Sequence, residues 1–156
     1  MTRTTLAEEI KQSKPFASLQ QELYLSIQRT ADELQSRIAA ILKPFGVSTT
    51  QYNVLRILRG AGAEGHRCSE IGERMITREP DITRLLDRMA KAGWITQARD
   101  TEDRRVVITR ITPEALKLLK EIDKPLGEFN RTFLTNMGEK KMKTLISLLE
   151  EVRSGE

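Results

Sequence analysis

The residues best suited to chemistry in this chain are arginines and small polar side chains that cluster between positions 69 and 105. A guanidinium such as that of Arg84 can bond guanine O6 and N7, and a side chain such as that of Thr83 can contact a thymine methyl group. Arg78 and Arg88 suit phosphate oxygens, which accept charge-assisted hydrogen bonds. The cluster predicts a surface that contacts duplex DNA through Ser69, Arg78, Pro80, Asp81, Thr83, Arg84, Arg88, Arg99, Arg104 and Arg105.

The same side chains also fit an ordinary solvated surface. Arg84 and Arg88 could pair along a helix with Asp81 and Asp87. Ser69 could cap a helix rather than touch a phosphate. The arginines near position 104 could merely balance their acidic neighbours, Asp100, Glu102 and Asp103. The elements that carry the cluster therefore matter for choosing between the two interpretations.

Positions 68–112 predict a helix, a tight connection, a second helix and a two-stranded hairpin. Thr77 can cap the second helix, Pro80 then falls in its first turn, and Gly93 suits its left-handed end. Either Ser69 or Cys68 is expected to cap the first helix. The buried face of the second helix is indicated by Ile82, Leu85, Leu86 and Met89. Its opposite, polar face is where a recognition helix places its DNA contacts.

The hairpin is predicted from two segments rich in strand-forming residues, 94–99 and 105–110. Between them lies a charged tip, whose adjacent Arg104 and Arg105 can reach a phosphate or a narrow minor groove. We expect one of these side chains to project outward and the other to lean onto the sheet, because successive side chains alternate along a strand. Asp103 is expected to orient one guanidinium through a bidentate pair.

Amphipathic helices are predicted on both sides of this region, at 16–43 and within 113–152. Positions 48–51 fit a capping box for another helix, and His66-Arg67 is expected to start a short strand. The flanking helices carry more apolar surface than a small domain can bury, which favours a homodimer. The alternative is that they only close the core of one protomer. Positions 1–15 are expected to form a loosely ordered arm.

Composition narrows the classes of function. The 156 residues carry a net charge of +4 and a pI near 9.4, which is compatible with a polyanionic partner. No apolar run is long enough to cross a bilayer and no signal-peptide pattern is present, so no membrane partner is expected. The single cysteine, Cys68, indicates a reducing cytoplasm, and the single histidine, His66, leaves no cluster of metal ligands. Without a nucleophile motif or a phosphate-binding loop, we expect neither an enzyme nor a cofactor.

Two segments resemble the MarR (multiple antibiotic resistance regulator) family of winged-helix repressors. The first, from Ile82, reads I-T-R-L-L-D-R-M, and the second, from Gly93, reads G-W-I-T-Q-A-R-D-T-E-D-R-R-V-V-I-T-R-I-T-P-E-A-L-K-L-L. The resemblance covers roughly 16–152. Gln97 stands where the family usually has arginine, so the charge network inside the wing can differ, and Ala115 stands where the family usually has glycine.

This resemblance implies a mainly α fold with a small β-hairpin wing (α+β), in a single domain over 1–156. Residues 48–111 would form the winged helix-turn-helix lobe that binds DNA. The dimerisation region would be formed by the helices at 16–43 and 113–152.

The resemblance also implies a ligand-responsive repressor that binds a pseudo-palindromic operator as a homodimer. Half-sites would lie roughly 10 bp apart, centre to centre. The expected effector is a small aromatic or phenolic molecule between the dimer helices and the DNA-binding lobe. The residues expected to line its cleft are Phe45, Tyr52 and Arg56, although Tyr52 fits a position in the core equally well.

Two other classes of function are compatible with the sequence. The near-balanced charge of the hairpin tip fits a winged-helix module that binds protein rather than DNA, whose affinity would not depend on salt. A small enzyme could use Cys68 or His66, although neither residue has a constellation of partners.

Overall fold

The fold is mainly helical with a small antiparallel sheet, as predicted. The computed structural model describes residues 4–155. Its helices are α1 (Leu6–Glu9), α2 (Leu19–Leu42), α3 (Thr49–Ala61), α4 (Cys68–Arg74), α5 (Ile82–Lys91), α6 (Pro113–Thr132) and α7 (Gly138–Ser154). Its strands are β1 (His66–Arg67), β2 (Ile95–Arg99) and β3 (Val107–Ile111), and 3-10 turns lie at Lys43–Phe45 and Thr135–Met137.

The N-terminal region is more regular than the expected arm. Positions 1–3 of that arm lie outside the described residues. Thr5 caps α1, because its hydroxyl accepts from the Glu8 N–H while the Glu8 carboxylate accepts from the Thr5 N–H at 2.7 Å. Arg29 on α2 then pairs with Glu9 at 3.4 Å, which places α1 beside α2.

The predicted capping box at the start of α3 is present. The Ser48 hydroxyl accepts from the Gln51 N–H at 3.1 Å, and the Gln51 side chain accepts from the Ser48 N–H at 2.9 Å. The glycines at 60, 62 and 65 predict a loop over 60–65, but helix α3 continues to Ala61, so Gly60 is helical.

The predicted start of α5 was wrong. The helix begins at Ile82, and its N-cap is Asp81, whose carboxylate accepts from the Arg84 N–H at 3.2 Å. Thr77 and Pro80 both lie in the connection before the helix. The physical reason is that a residue before proline disfavours the α conformation, so Glu79 resists a helix that starts at Thr77. Asp81 is the first good cap beyond that point.

The predicted end of α5 at Gly93 is confirmed. Gly93 has a φ of +76°, its N–H donates to the Ala90 carbonyl, and the Trp94 N–H donates to the Met89 carbonyl, both at 3.0 Å. These two bonds form a Schellman motif, which turns the chain from α5 directly into β2.

The predicted cap of α4 was wrong, because both Cys68 and Ser69 lie inside the helix. Arg67 occupies the cap position, and its N–H donates to the Glu70 carboxylate at 2.7 Å. The expected short strand supplies the reason: β1 pairs with β3 up to Arg67, opposite Ile108, so the helix starts at the next residue.

The sheet has the order β1-β3-β2, and both pairings are antiparallel. Gly65 leads into β1 with a φ of +69°, and a Cβ there would lie 2.4 Å from the Thr109 carbonyl oxygen. Only glycine therefore fits at the place where the chain enters the sheet.

Two clusters of buried side chains form the core. The larger joins α3, α4, α5, β2 and the start of α6, through residues such as Leu55, Leu58, Ile71, Leu86 and Met89. The smaller joins the end of α2 to the middle of α6, through Leu42, Val47, Ile122 and Leu126. Arg59 on α3 also donates to both carboxylate oxygens of Asp123 on α6, at 3.0 and 2.8 Å.

Two buried threonines differ in how their hydroxyls are satisfied. The Thr112 hydroxyl lies 2.8 Å from the Gly93 carbonyl oxygen and accepts from the Ala115 N–H at 3.2 Å. The Thr109 hydroxyl, in a residue only 1% exposed, has no partner among the described residues. A buried hydroxyl without a partner costs free energy, whereas a capping hydroxyl stabilises its helix.

We therefore expect opposite effects from the same isosteric substitution at these two positions. Thr109→Val should raise the free energy of unfolding by about 1 kcal/mol, and Thr112→Val should lower it by about 1–2 kcal/mol. Urea denaturation at one fixed protein concentration measures both. Destabilisation by Thr109→Val would show that its hydroxyl is satisfied in solution.

Candidate nucleic-acid interface

The polar face of α5 is free of the core. Leu85, Leu86 and Met89 are buried, whereas Thr83 and Arg88 on the same helix are exposed. Helical spacing separates the two sets, since residues three and four apart share a face. The predicted contacts Thr83, Arg84 and Arg88 therefore lie on the outer side of α5.

Arg84 pairs with Asp81, which is one of the contacts expected if this face is an ordinary solvated surface. Its Nε lies 3.1 Å from the Asp81 carboxylate, and the two side chains are 83% and 51% exposed. An exposed pair of this kind stabilises a protein very little, so a stronger partner can take the guanidinium. The Asp81 carboxylate also caps α5, and its predicted contact with DNA stays a prediction.

The hairpin is slightly shorter than predicted, and this changes the place of its arginines. Strand β2 ends at Arg99 and β3 begins at Val107, so Arg104 and Arg105 lie in the loop between the strands. The predicted alternation of these two side chains was wrong, because alternation requires strand backbone. Both residues are exposed, and neither leans onto the sheet.

The loop is held by its own hydrogen bonds. Asp103 accepts from Arg105 Nε at 3.2 Å and Nη2 at 3.3 Å, which is the expected bidentate pair, and from the Arg105 N–H at 3.0 Å. Arg99 donates to the Arg104 carbonyl at 3.1 Å. Side-chain bonds from Arg105 are the main reason why the pKa of Asp103 is lowered, and the charge of Arg67 contributes further.

Arg67 is a basic residue near this loop that the sequence interpretation did not include. It is exposed in β1, and its charge acts on the Asp103 carboxyl of the loop. The pairing of β1 with β3 brings it there, although 35 residues separate it from Asp103. The expected strand at His66-Arg67 was the available signal.

The remaining predicted contacts are exposed but lie on different elements. Ser69 is in the first turn of α4, and Arg78 and Pro80 are in the connection before α5. Cys68 is partly buried, with its Sγ 4.0 Å from the Thr83 hydroxyl oxygen. Within residues 4–155 no three His, Cys, Asp or Glu side chains are grouped as metal ligands.

A cleft of about 530 Å³ lies between α2, α3 and the connection that leads to α5. Of the three residues expected there, Tyr52 and Arg56 line it, and burial raises the pKa of Tyr52. Phe45 does not line this cleft: it lies in the 3-10 turn after α2 and packs against the smaller core cluster. The lining residues are Ala31, Leu34, Gln35, Ile38, Thr49, Thr50, Tyr52, Asn53, Arg56, Met75, Ile76 and Thr77.

The outer helices leave large apolar side chains exposed. On α7 no residue is buried. The exposed side chains on α2 and α7 are Leu19, Leu23, Tyr24, Leu145, Ile146, Leu148 and Val152. Among the described helices, none is both long and apolar enough to cross a membrane.

Comparison with known proteins agrees with this arrangement. The family model described as "MarR family" matches residues 47–107. A MarR transcription factor from Planctomyces limnophilus is 38% identical, with a TM-score of 0.65, and the match covers 87% of this chain and 98% of that one.

Two more distant structures share the fold. The transcriptional repressor CouR, bound to a 23-mer DNA duplex, is 21% identical with a TM-score of 0.74, over 90% of this chain and 99% of that one. NadR in complex with 4-hydroxyphenylacetate is 24% identical with a TM-score of 0.70, over 89% and 97% of the two chains.

The lowered pKa of Asp103 predicts how the loop responds to acid. Because the folded pKa lies below the unfolded one, the stabilisation is present at neutral pH and is lost as pH falls through the folded pKa. The amide resonance of Arg105 should therefore titrate with a midpoint below about 3.9, the ordinary aspartate value. Asp103→Asn should abolish this transition. A midpoint at or above the ordinary value would contradict the pairing.

Proposed function

The chain belongs to the MarR family of transcriptional regulators, and we propose that it acts as a homodimeric, effector-responsive repressor at a pseudo-palindromic operator. As a family member it is a winged-helix, DNA-binding transcriptional regulator and not an enzyme. The exposed polar face of α5, followed along the chain by a hairpin with a charged loop, is the observation that carries the proposal. We place this regulator in the cytoplasm, where its DNA would be accessible.

Helix α5 is proposed to enter the major groove. Thr83 and Arg84 lie in its first turn, the part of a recognition helix that contacts base edges. Arg84 would leave Asp81 for guanine O6 and N7, which is favourable because the bidentate contact replaces a weak exposed pair. Arg78, Arg88 and Ser69 would contact phosphates on either side, with Pro80 close to the same backbone.

The hairpin loop is proposed to reach the adjacent minor groove. Arg104 would face the DNA with a guanidinium that has no ion-pair partner among the described residues. Asp103 would orient Arg105, and Arg99 would hold the loop backbone through its bond to the Arg104 carbonyl. Arg67 would add a further phosphate contact at the base of the loop.

The dimer is proposed to form through α2 and α7, the long helices nearest the two ends of the chain. Side chains such as Leu23, Ile146 and Leu148 are at least half exposed in one protomer. Pairing across a two-fold axis would remove them from water. Two α5 helices would then face successive major grooves, with half-sites roughly 10 bp apart.

The cleft beside α3 is proposed to bind a small aromatic or phenolic acid. Leu34 and Ile38 would contact its ring, and Arg56, which has no ion-pair partner among residues 4–155, would bind its carboxylate. NadR, with a similar fold, was solved with 4-hydroxyphenylacetate. A ligand that prefers one spacing of the two α5 helices would shift the population of dimers away from DNA binding.

Selection from random duplexes, followed by sequencing, tests the DNA-binding proposal. We expect an enriched inverted repeat, and we expect Arg84→Ala to lose about 1–3 kcal/mol of affinity and to relax the preference at one base pair. Arg78→Ala is the matched comparison. It should weaken binding to all DNA sequences by a similar factor, and it should reduce the salt dependence of the affinity by about the amount expected for one phosphate contact.

Several outcomes would contradict this proposal. Enrichment of a single half-site, together with sedimentation as a monomer, would exclude the homodimer. Binding that does not weaken as salt rises would point to the winged-helix module for protein partners, because phosphate contacts release counterions.

Arg56 provides the test of the effector site. With 4-hydroxyphenylacetate as the probe, calorimetry should show binding that Arg56→Leu weakens at least about tenfold, as expected when a charge-assisted bond is lost. Arg131→Leu, on α6 and outside the cleft, is the control and should bind like the unaltered chain. If the unaltered chain binds none of a panel of aromatic acids, the effector proposal is wrong.

A further inference from the structure

The connection between α4 and α5 is held to the rest of the described structure by one hydrogen bond from another helix. Helix α4 ends at Arg74, its C-cap Met75 donates its N–H to the Gly72 carbonyl at 3.3 Å, and α5 begins only after Asp81. The Ile76 N–H donates to Asn53 Oδ1 on α3 at 2.9 Å. Among residues 4–155, this is the one hydrogen bond that joins positions 76–80 to another helix.

Packing does little to hold the same segment. The Ile76 side chain is 77% exposed, and Thr77, Arg78 and Pro80 are exposed as well. A segment with few buried contacts opens easily, so a single hydrogen bond has a large share in fixing its position. The Asn53 side chain is partly buried on α3, and this makes its amide a firm anchor for the connection.

We propose that Asn53 is a positioning residue for DNA reading: its side-chain carboxamide fixes the connection and thereby the start of α5. The inference rests on the proposed function, because it concerns residues that would contact DNA. Asp81 caps α5 directly after the connection, and Thr83 and Arg84 follow in the first turn. Asn53 itself would touch no DNA, since its amide is committed to Ile76 and it borders the cleft.

Three variants of the full chain separate this role from a general structural one. Asn53→Leu removes the acceptor at similar volume, whereas Asn53→Asp keeps an oxygen for the Ile76 N–H. Asn130→Leu makes the same substitution at an exposed position of α6 that lies outside the cleft and makes no hydrogen bond to the connection. Hydrogen exchange followed by mass spectrometry reports on positions 75–81, and binding to the selected operator reports on DNA reading.

In Asn53→Leu we expect exchange at positions 75–81 to rise about fivefold and operator affinity to fall by a similar factor, as for the loss of one hydrogen bond. Asn53→Asp and Asn130→Leu should resemble the unaltered chain in both measurements.

Unchanged exchange in Asn53→Leu would overturn the proposal, and so would faster exchange spread over all helices. Raised local exchange with undiminished operator affinity would show that the connection is held by Asn53 but does not position the reading helix. An unaltered chain that binds no duplex would instead contradict the proposed function, while the exchange data would still decide whether Asn53 holds the connection.

Discussion

The hydroxyl of Thr112 joins three parts of the molecule that must keep a fixed geometry. It bonds to the Gly93 and Trp94 carbonyls at 2.8 and 3.1 Å, at the turn between α5 and β2, and it caps α6. The Thr112 N–H also donates to the Trp94 carbonyl at 3.0 Å. The end of α5, the base of the hairpin and the start of the long helix α6 therefore meet at one buried residue. Placement of α5 relative to the loop arginines depends on this junction more than on any contact between exposed charges.

The polar surface differs from this buried junction, because its ion pairs join residues close in sequence and are exposed to solvent. Asp81 with Arg84 and Asp103 with Arg105 are pairs within a single turn or loop. Such pairs stabilise the fold little, but they keep flexible arginines near the orientations in which they would meet a nucleic acid. The net charge of +4 is modest for the same reason: the acidic partners that orient the arginines also offset them.

Sequence rules that act within a single turn of the chain were enough to predict much of the fold. Gly93 and the Ser48–Gln51 box each act within one turn, and the structure has both as predicted. The errors arose where two local solutions competed or where distant segments meet. Thr77 and Asp81 were both acceptable caps, and the proline between them favoured the second.

The other features that could not be predicted from the sequence depend on contacts between segments far apart in the chain. Pairing of β1 with β3 decided where α4 starts and brought Arg67 to the hairpin loop. The cleft takes its walls from α2, α3 and the connection, so its lining could be predicted for Tyr52 and Arg56 but not for Asn53 or Ile76. How two protomers pair depends on contacts with a second chain, so the homodimer stays a prediction.

Helix α2 is long enough to act as a rigid lever. Its 24 residues form one continuous rod of about 36 Å, with Leu42 anchored in the core at one end and the exposed Leu19 at the other. Side chains of its second half, from Ala31 to Ile38, form one wall of the cleft. A rod of this length works as a lever: each degree of rotation about Leu42 moves the far end by about 0.6 Å, given the rise per residue of an α-helix. Small adjustments of the cleft wall would thus be amplified into ångström-scale displacements at the outer end of the helix.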